Sequence, residues 1–427
     1  MRYALMHPAD QLVAIMHRIY TAGLTTMSGG NLSVCEANGD IWVTPGGIDK
    51  GSLTRHDMVC IHKDGTQSGF RKPTSELLVH LAIYQARENV KAVLHAHSPA
   101  LITFSILNSI PDVRLIPNAR IVCGKIGKAP YARMGSPELA DSIANEFKKG
   151  YSVVLLENHG ICIGAETINQ AYLIFETLEF AARSELYARR LGPVNPLSDA
   201  QIDLARTKAH TRLSDFYPKQ HSSEELAARR DMIAFIQRAI QQKLFTSGNG
   251  TLSVRLSDGS FLITPYGRDR RQLHEEHLVL VNRGMKETGK TPSRAVFLHE
   301  LIYRRQPDVK AIIGAHPPHL MAFTLTDQVL NMNLMPESYV MLHHLPRHPY
   351  GINYLEPQKT ADLFTADTPA ILLENDGIIV TGQSLIQAYD RFEVAEFTAR
   401  AQLAIPADMA ACPLNADRIG ELNRYFP

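Results

Sequence analysis

The sequence predicts two consecutive layered α/β domains, and three observations predict it. A long segment recurs along the chain, apolar runs of strand length alternate with helical patterns inside each copy, and the composition suits a chain that buries proper cores. The chain has 427 residues, 45% of them hydrophobic and 20% charged. At about 150 residues per domain, that length fits two or three domains. The 44 Lys and Arg against 43 Asp and Glu leave a formal net charge of +1. So even a balance argues against a nucleic-acid binder, which needs a basic face to displace phosphate counterions. No stretch approaches the roughly 18 unbroken apolar residues of a membrane span, so no membrane partner is expected. Pro8 and Asp10 interrupt the N-terminal segment before the apolar core of a signal peptide, so a cytoplasmic location is expected. The five cysteines (Cys35, Cys60, Cys123, Cys162 and Cys412) are odd in number and lack CxxC spacing, as reduced thiols would be.

The repeat is visible by eye. Leu32-Ser33-Val34 recurs as Leu252-Ser253-Val254, and Thr44-Pro45-Gly46-Gly47 as Thr264-Pro265-Tyr266-Gly267. The run HLAIY from His80 answers to HELIY from His299, and KAVLHAHSPA to KAIIGAHPPH. LLENHG (155–160) answers to LLENDG (372–377), and PLSDAQI (196–202) to PLNADRI (413–419). A unit of about 215 residues is far too long for a solenoid repeat. Two complete domains in tandem are expected, 1–218 and 222–427, joined near Lys219–Ser223.

Within the first copy, residues 9–22 place Leu12, Val13, Met16, Ile19 and Tyr20 on one helical face, and Gly23 follows as a cap. Strand-like runs follow at Ile41–Thr44, Met58–Ile61 and Val93–His97. Between them, Pro73 and Thr74-Ser75-Glu76 open a helix to about Arg87, with Leu77, Leu78, Leu81 and Ala82 as its expected apolar side. Ser152–Leu156 reads as a further strand and Asn169–Leu191 as a long helix. Periodicity leaves the strand order open.

Three of the 18 histidines draw attention. His95 and His97 sit two apart at the end of a strand-like run, so their side chains leave one face. His159 ends another such run in a turn with Gly160. Three neutral imidazoles with an open position form the pattern of a catalytic divalent site, usually zinc. An HxH pair alone is more often two surface or hydrogen-bonded histidines. Glu76, at a helix N-terminus, is a candidate acid or base, although in isolation such a residue is more often a carboxylate favoured by the helix dipole. The same turn offers backbone N–H groups and two hydroxyls, which suits a phosphate. The loops Ser28-Gly29-Gly30-Asn31 and Thr44-Pro45-Gly46-Gly47 could add backbone donors, though each by itself is an ordinary turn.

Taken in order, the segments SGGN, TPGG, PTSE, HAH and ENHG resemble the class II aldolase/adducin family, in the manner of the fuculose-phosphate aldolases. The resemblance covers the whole first copy, and the repeat extends it to the second. It implies an α/β/α sandwich around a mixed, largely antiparallel sheet. It implies zinc, one per chain, on His95, His97 and His159, another divalent metal being the alternative. Glu76 would be the catalytic acid/base, and Asn31, Gly47, Thr74 and Ser75 the substrate-phosphate positions. Family members commonly form fourfold assemblies with sites between subunits, so a homo-oligomer, a dimer or a multiple of it, is expected. The chain departs from the resembling enzymes after Ile110-Pro111, where they place a tyrosine and this sequence runs through Asp112-Val113-Arg114 to Leu115. Tyr131 belongs to a different segment, APYARMG.

The second copy replaces Glu76 by Ala295, Thr74 and Ser75 by Ser293 and Arg294, His95 by Gly314, and His159 by Asp376, keeping only His316 for His97. It is expected to be non-catalytic. Its Arg268-Asp269-Arg270-Arg271 run reads as a solvated turn. The pair His343 and His344, taken as strand neighbours, would point to opposite faces. The leading functional expectation is a zinc-dependent aldolase that cleaves a phosphorylated ketose to dihydroxyacetone phosphate and an aldehyde. A sugar-phosphate 4-epimerase, decarboxylase or dehydratase would use the same site, and a non-catalytic adducin-like scaffold is the alternative of another class.

Overall fold

A computed structural model of the chain describes residues 5–207 and 212–426. Contacts divide it into two compact units. One comprises residues up to Arg114 with Asn118–Arg183, the other Leu115–Pro117 with the chain from Ser184 onward. The division falls inside the helix Ile168–Leu191. The extents 1–218 and 222–427 remain our proposal for the two copies of duplicated sequence.

The first unit is built on one sheet of eight strands: β1 (Asn31–Cys35), β2 (Ile41–Val43), β3 (Val59–Ile61), β4 (Gln67–Ser68), β5 (Ala92–Ala96), β6 (Ile126–Ala129), β7 (Val153–Leu156) and β8 (Gly160–Ala165). Their order is β4-β3-β2-β1-β5-β8-β7-β6. Every neighbouring pair is antiparallel except β6 with β7. Strands β5, β7 and β8 are buried at every residue, as strands covered on both faces must be. One face packs Val93, Val154 and Leu156 against Val79, Ile83, Leu139, Ile143 and Phe147 from two helices. The result is the helix-covered mixed sheet expected.

The second unit repeats this topology in β10 (Thr251–Arg255), β11 (Phe261–Ile263), β12 (Val279–Asn282), β13 (Met285–Glu287), β14 (Ala311–Ala315), β15 (Arg347–His348), β16 (Ala370–Leu373) and β17 (Gly377–Gly382). The order is β15-β16-β17-β14-β10-β11-β12-β13, extended at the β13 edge by β9 (Ser214–Phe216), which runs parallel to it. Its core gathers Ile263, Val279, Ile302, Ile312, Phe364 and Ile371.

Three expectations need correction. The helix Leu77–Ala86 turns Val79, His80 and Ile83 inward, while Leu78 is 46% exposed. Nearly every position of that helix is apolar, so a helical period could not select the face. The arginine run is not wholly solvated, because Arg270 is 5% exposed and bonds three backbone carbonyls. His343 and His344 do not lie in a strand: His343 caps the helix Pro336–Leu342 with φ +49°.

The inward histidine exists in both units. His80 Nδ1 lies 2.6 Å from Ser33 Oγ, which is 2.6 Å from Tyr84 Oη. His299, Ser253 and Tyr303 repeat the arrangement at 2.7 Å and 2.7 Å. Burial pulls the pKa of His299 down to about 3 from its ordinary 6.5. The unfolded chain therefore binds more protons than the folded one between those values. This stabilisation is complete above about pH 6.5 and is lost progressively as pH falls toward 3. His299→Gln should flatten the acid dependence of second-unit stability by about 1.4 kcal/mol per pH unit below pH 6.5. Urea unfolding followed between pH 7 and pH 4 measures this, and an unchanged slope would show that the folded protein tolerates a protonated His299.

Candidate functional site

The site forms where β1, β5, the β7–β8 hairpin and the start of the helix Leu77–Ala86 meet. Sheet register does most of the placing. Asn31 on β1 stands opposite His95 on β5, and His95 stands opposite Cys162 on β8. His97 follows one residue beyond the end of β5, on the same side as His95, and the two Nε2 atoms are 2.8 Å apart. The hairpin turn Glu157-Asn158-His159 is formed by Asn158 at φ +53°. Ser105 pins that turn, its Oγ accepting the His159 N–H at 3.0 Å. Gly160 is required there, since a Cβ would lie 2.6 Å from the Ala96 carbonyl oxygen and 2.7 Å from His97 Cδ2.

The three imidazoles face one point. Ring centroids are 4.6 Å apart for His95 and His97, 4.8 Å for His95 and His159, and 5.2 Å for His97 and His159. His95 Nδ1 is 3.0 Å from the Ile161 carbonyl oxygen, so it carries a hydrogen and Nε2 is left to face inward. Glu76 completes the group. It caps the helix rather than entering it. Its Oε2 lies 3.1 Å from His95 Nε2 and its Oε1 3.5 Å from His159 Nε2.

A polar chain stands behind Glu76. The Asn31 amide donates to Glu76 Oε2 at 2.9 Å, and its Oδ1 lies 2.5 Å from His80 Nε2. Because the amide nitrogen is committed to a carboxylate, Asn31 Oδ1 must accept, so His80 Nε2 is the donor. His80 Nδ1 then accepts from Ser33, which accepts from Tyr84. Every donor in the chain points toward Glu76. Burial alone would raise the Glu76 carboxyl, but the charge and hydrogen bond of His95, with the Asn31 amide, hold it well below the carboxylate range. Against burial, Glu76 raises His95. Burial, with His95 nearby, lowers His97 to about 3 and His159 to about 4.

These residues fit a divalent metal. Burial leaves His97 and His159 unprotonated, and both ring nitrogens of His159 are buried with no hydrogen-bond partner among the described residues. That is costly unless something takes the lone pair of the unprotonated nitrogen. One donor atom from each histidine lies within 4.8 Å of the others. A second three-donor group, Asp40, Cys60 and His62, lies in the same sheet, with its atoms already bonded to one another and to Ser68, Asn38 and Lys63. It goes unmarked in the sequence, as do His80, Ser105 and the orienting part of Asn31. No motif marks these, since their significance lies in partners distant along the chain. Of the four expected phosphate positions, Thr74 is buried, with its hydroxyl accepting the Glu76 N–H at 3.3 Å, and Ser75 is exposed. Gly47 has φ +64°, and the amides of Gly47 and Ser75 reach no acceptor among the described residues.

The second unit lacks this constellation. Thr251, at the position of Asn31, and Ser293, at that of Thr74, face each other at 3.1 Å, and Ala295 stands for Glu76. His316 Nε2 lies 3.4 Å from Asp376 Oδ1, and Asp376 Oδ2 accepts from Asn353 at 2.9 Å. Among the described residues, no three-donor group occurs in this unit.

Comparison with known proteins agrees with these features. The chain is 32% identical over 207 residues to a 5-deoxy-D-ribulose 1-phosphate aldolase of Bacillus thuringiensis serovar kurstaki, covering 47% of this chain and 93% of that one. It is 35% identical over 174 residues to an L-fuculose phosphate aldolase of Methanococcus maripaludis, covering 40% and 93%. It is also 31% identical over 178 residues to a 3-oxo-tetronate 4-phosphate decarboxylase of Haemophilus influenzae, covering 41% and 84%. The family described as class II aldolase and adducin N-terminal domain matches residues 10–186 and again 230–403. Two matches that together take in most of the chain make this protein a tandem member of the class II aldolase and adducin family.

Proposed function

We propose that the first copy is a zinc-dependent aldolase that reversibly cleaves a phosphorylated ketose to dihydroxyacetone phosphate and an aldehyde. The observation that carries this is the convergence of three imidazoles and one buried carboxylate in the first unit, together with the loss of that set in the second. His95, His97 and His159 would hold the metal. A divalent cation there supplies Lewis-acid polarisation of substrate oxygens.

Cleavage breaks one carbon–carbon bond. The hydroxyl on the aldehyde half loses a proton as its oxygen becomes a carbonyl, and the carbon left on the ketose half gains one. Glu76 is the group positioned to hold and deliver the proton at that carbon. Asn31 and His95 both hold its Oε2, which fixes the carboxylate's orientation between steps. Gly47, Thr74 and Ser75, with Asn31 beside them, would take the substrate phosphate, the free amides of Gly47 and Ser75 supplying donors. The second copy is proposed to be non-catalytic.

A decarboxylase is the second reading, favoured by the similarity to the Haemophilus enzyme and by the absence of a tyrosine after Ile110-Pro111. It would break a bond to carboxylate in place of a bond to an aldehyde carbon, on the same residues. Assaying phosphorylated ketoses for dihydroxyacetone phosphate, and phosphorylated 3-oxo acids for carbon dioxide, separates the two. Release of carbon dioxide alone would reject the aldolase reading.

His97→Ala should lose most of the bound zinc, since two imidazoles hold it poorly. Metal analysis after gel filtration checks this, and full occupancy would remove His97 from the ligand set. Loading should also release a proton. His97 and His159 are already neutral at pH 7, so the proton displaced is the one His95 shares with Glu76. Calorimetry of zinc binding at pH 7 in buffers of different ionisation enthalpy should show about one proton released, with affinity rising with pH. Zero release would mean that His95 is neutral before loading. Glu76→Gln should keep the fold and much of the metal yet lower turnover by about 10²–10⁴-fold. Near-normal turnover would assign the proton transfer to another group.

A further inference from the structure

Lys50 has no part in the chemistry above, yet it is 2% exposed. It joins the two glycine-rich loops. Its N–H donates to the Met27 carbonyl at 2.7 Å at the start of one, and its ammonium donates to the Pro45 carbonyl in the other. Among the described residues, no carboxylate pairs with it, and burial lowers its pKa to about 8. A buried cation without a counter-ion is expensive, and one carbonyl dipole offsets only part of that cost.

The second copy places a cation at the same position. Arg270 corresponds to Lys50 as Ser247 corresponds to Met27 and Pro265 to Pro45. Its N–H donates to the Ser247 carbonyl at 2.9 Å, its Nε to Gly250 at 2.7 Å and its Nη1 to Pro265 at 3.1 Å. The two copies differ in lysine and arginine but agree on a buried positive charge under the same turn. Bracing alone does not demand a charge, since a neutral amide also donates to carbonyls.

The turn above Lys50 is coupled to the Thr74–Ser75 segment. Thr74 N–H donates to the Thr44 carbonyl at 3.2 Å, and Gly46 N–H to the Lys72 carbonyl at 3.3 Å. The free amides of Gly47 and Ser75 therefore belong to one braced backbone unit whose inner side is Lys50. A dianion received by those amides would supply the counter-charge that the buried ammonium lacks.

We propose that Lys50 is a positioning residue for the substrate phosphate, bracing both loops and supplying positive charge from behind them. This rests on the reading that the substrate carries a phosphate. Calorimetry of inorganic phosphate binding to the zinc-loaded full chain tests it without requiring turnover. Wild type should bind, Lys50→Met and Lys50→Gln should each bind about 10-fold more weakly, and Lys50→Arg should stay within about threefold of wild type. In steady-state assays the Met and Gln variants should raise KM by a similar factor with kcat little changed, and zinc content should equal wild type. A Gln variant as tight as wild type would overturn the proposal, because bracing would then suffice without charge. No phosphate binding by wild type would also overturn it. Phosphate binding that depends on Lys50, in a chain that cleaves no phosphorylated ketose, would leave this proposal standing and reject the proposed reaction instead.

Discussion

An ionised carboxylate taken out of water costs several kcal/mol unless charges and hydrogen bonds surround it, and Glu76 is 6% exposed. Most of what is distinctive in the first unit can be traced to the need to hold that one anion. His95 sits against one oxygen and His159 near the other. Asn31 donates to it, and Asn31 is in turn held by His80, Ser33 and Tyr84. The sheet register that sets Asn31 opposite His95 brings the anion's two closest partners together on adjacent strands. A one-residue slip of β1 would send Asn31 to the face opposite His95.

The duplicated chain contains its own comparison. Ser253, His299 and Tyr303 keep the inner part of the polar chain intact, so that part belongs to the fold. The outer part has gone as a set, with threonine for Asn31, alanine for Glu76 and glycine for His95. That joint loss is what electrostatics demands. Removing the anion alone would leave His95 and Asn31 facing an uncompensated gap, and removing His95 alone would strand a buried carboxylate. Asp376, beside His316 and Asn353, is a different and partly exposed arrangement.

Much of this was legible in the sequence because it is local. The repeat, the HxH spacing and the ENHG turn are contiguous strings whose geometry follows from strand periodicity and one left-handed residue. The inward face of the helix Leu77–Ala86 was not legible, because apolar residues surround it and the deciding partner of His80 lies on β1. Arg270 misled for a related reason. A run of charges reads as solvated unless one knows that three carbonyls converge on its second arginine. The role of Asn31 was hidden likewise, since an asparagine in a glycine-rich loop looks the same whether it faces a ligand or a carboxylate 45 residues away.

Each imidazole of the site is fixed by a separate backbone device. His95 is set by the pairing of β5 with β8 and by the Ile161 carbonyl. His97 lies over a glycine whose missing Cβ makes room for it. His159 is carried by a hairpin whose left-handed Asn158 and Ser105 hydroxyl define the turn. Each device is made of backbone and neighbouring side chains, and burial favours the neutral forms of His97 and His159. Such a site would have little conformational entropy left to lose if a cation loads as proposed. On the proposed reading, the chief cost of loading would be the exchange of a proton for a cation, which would leave the buried Glu76 carboxylate facing a larger positive charge than before.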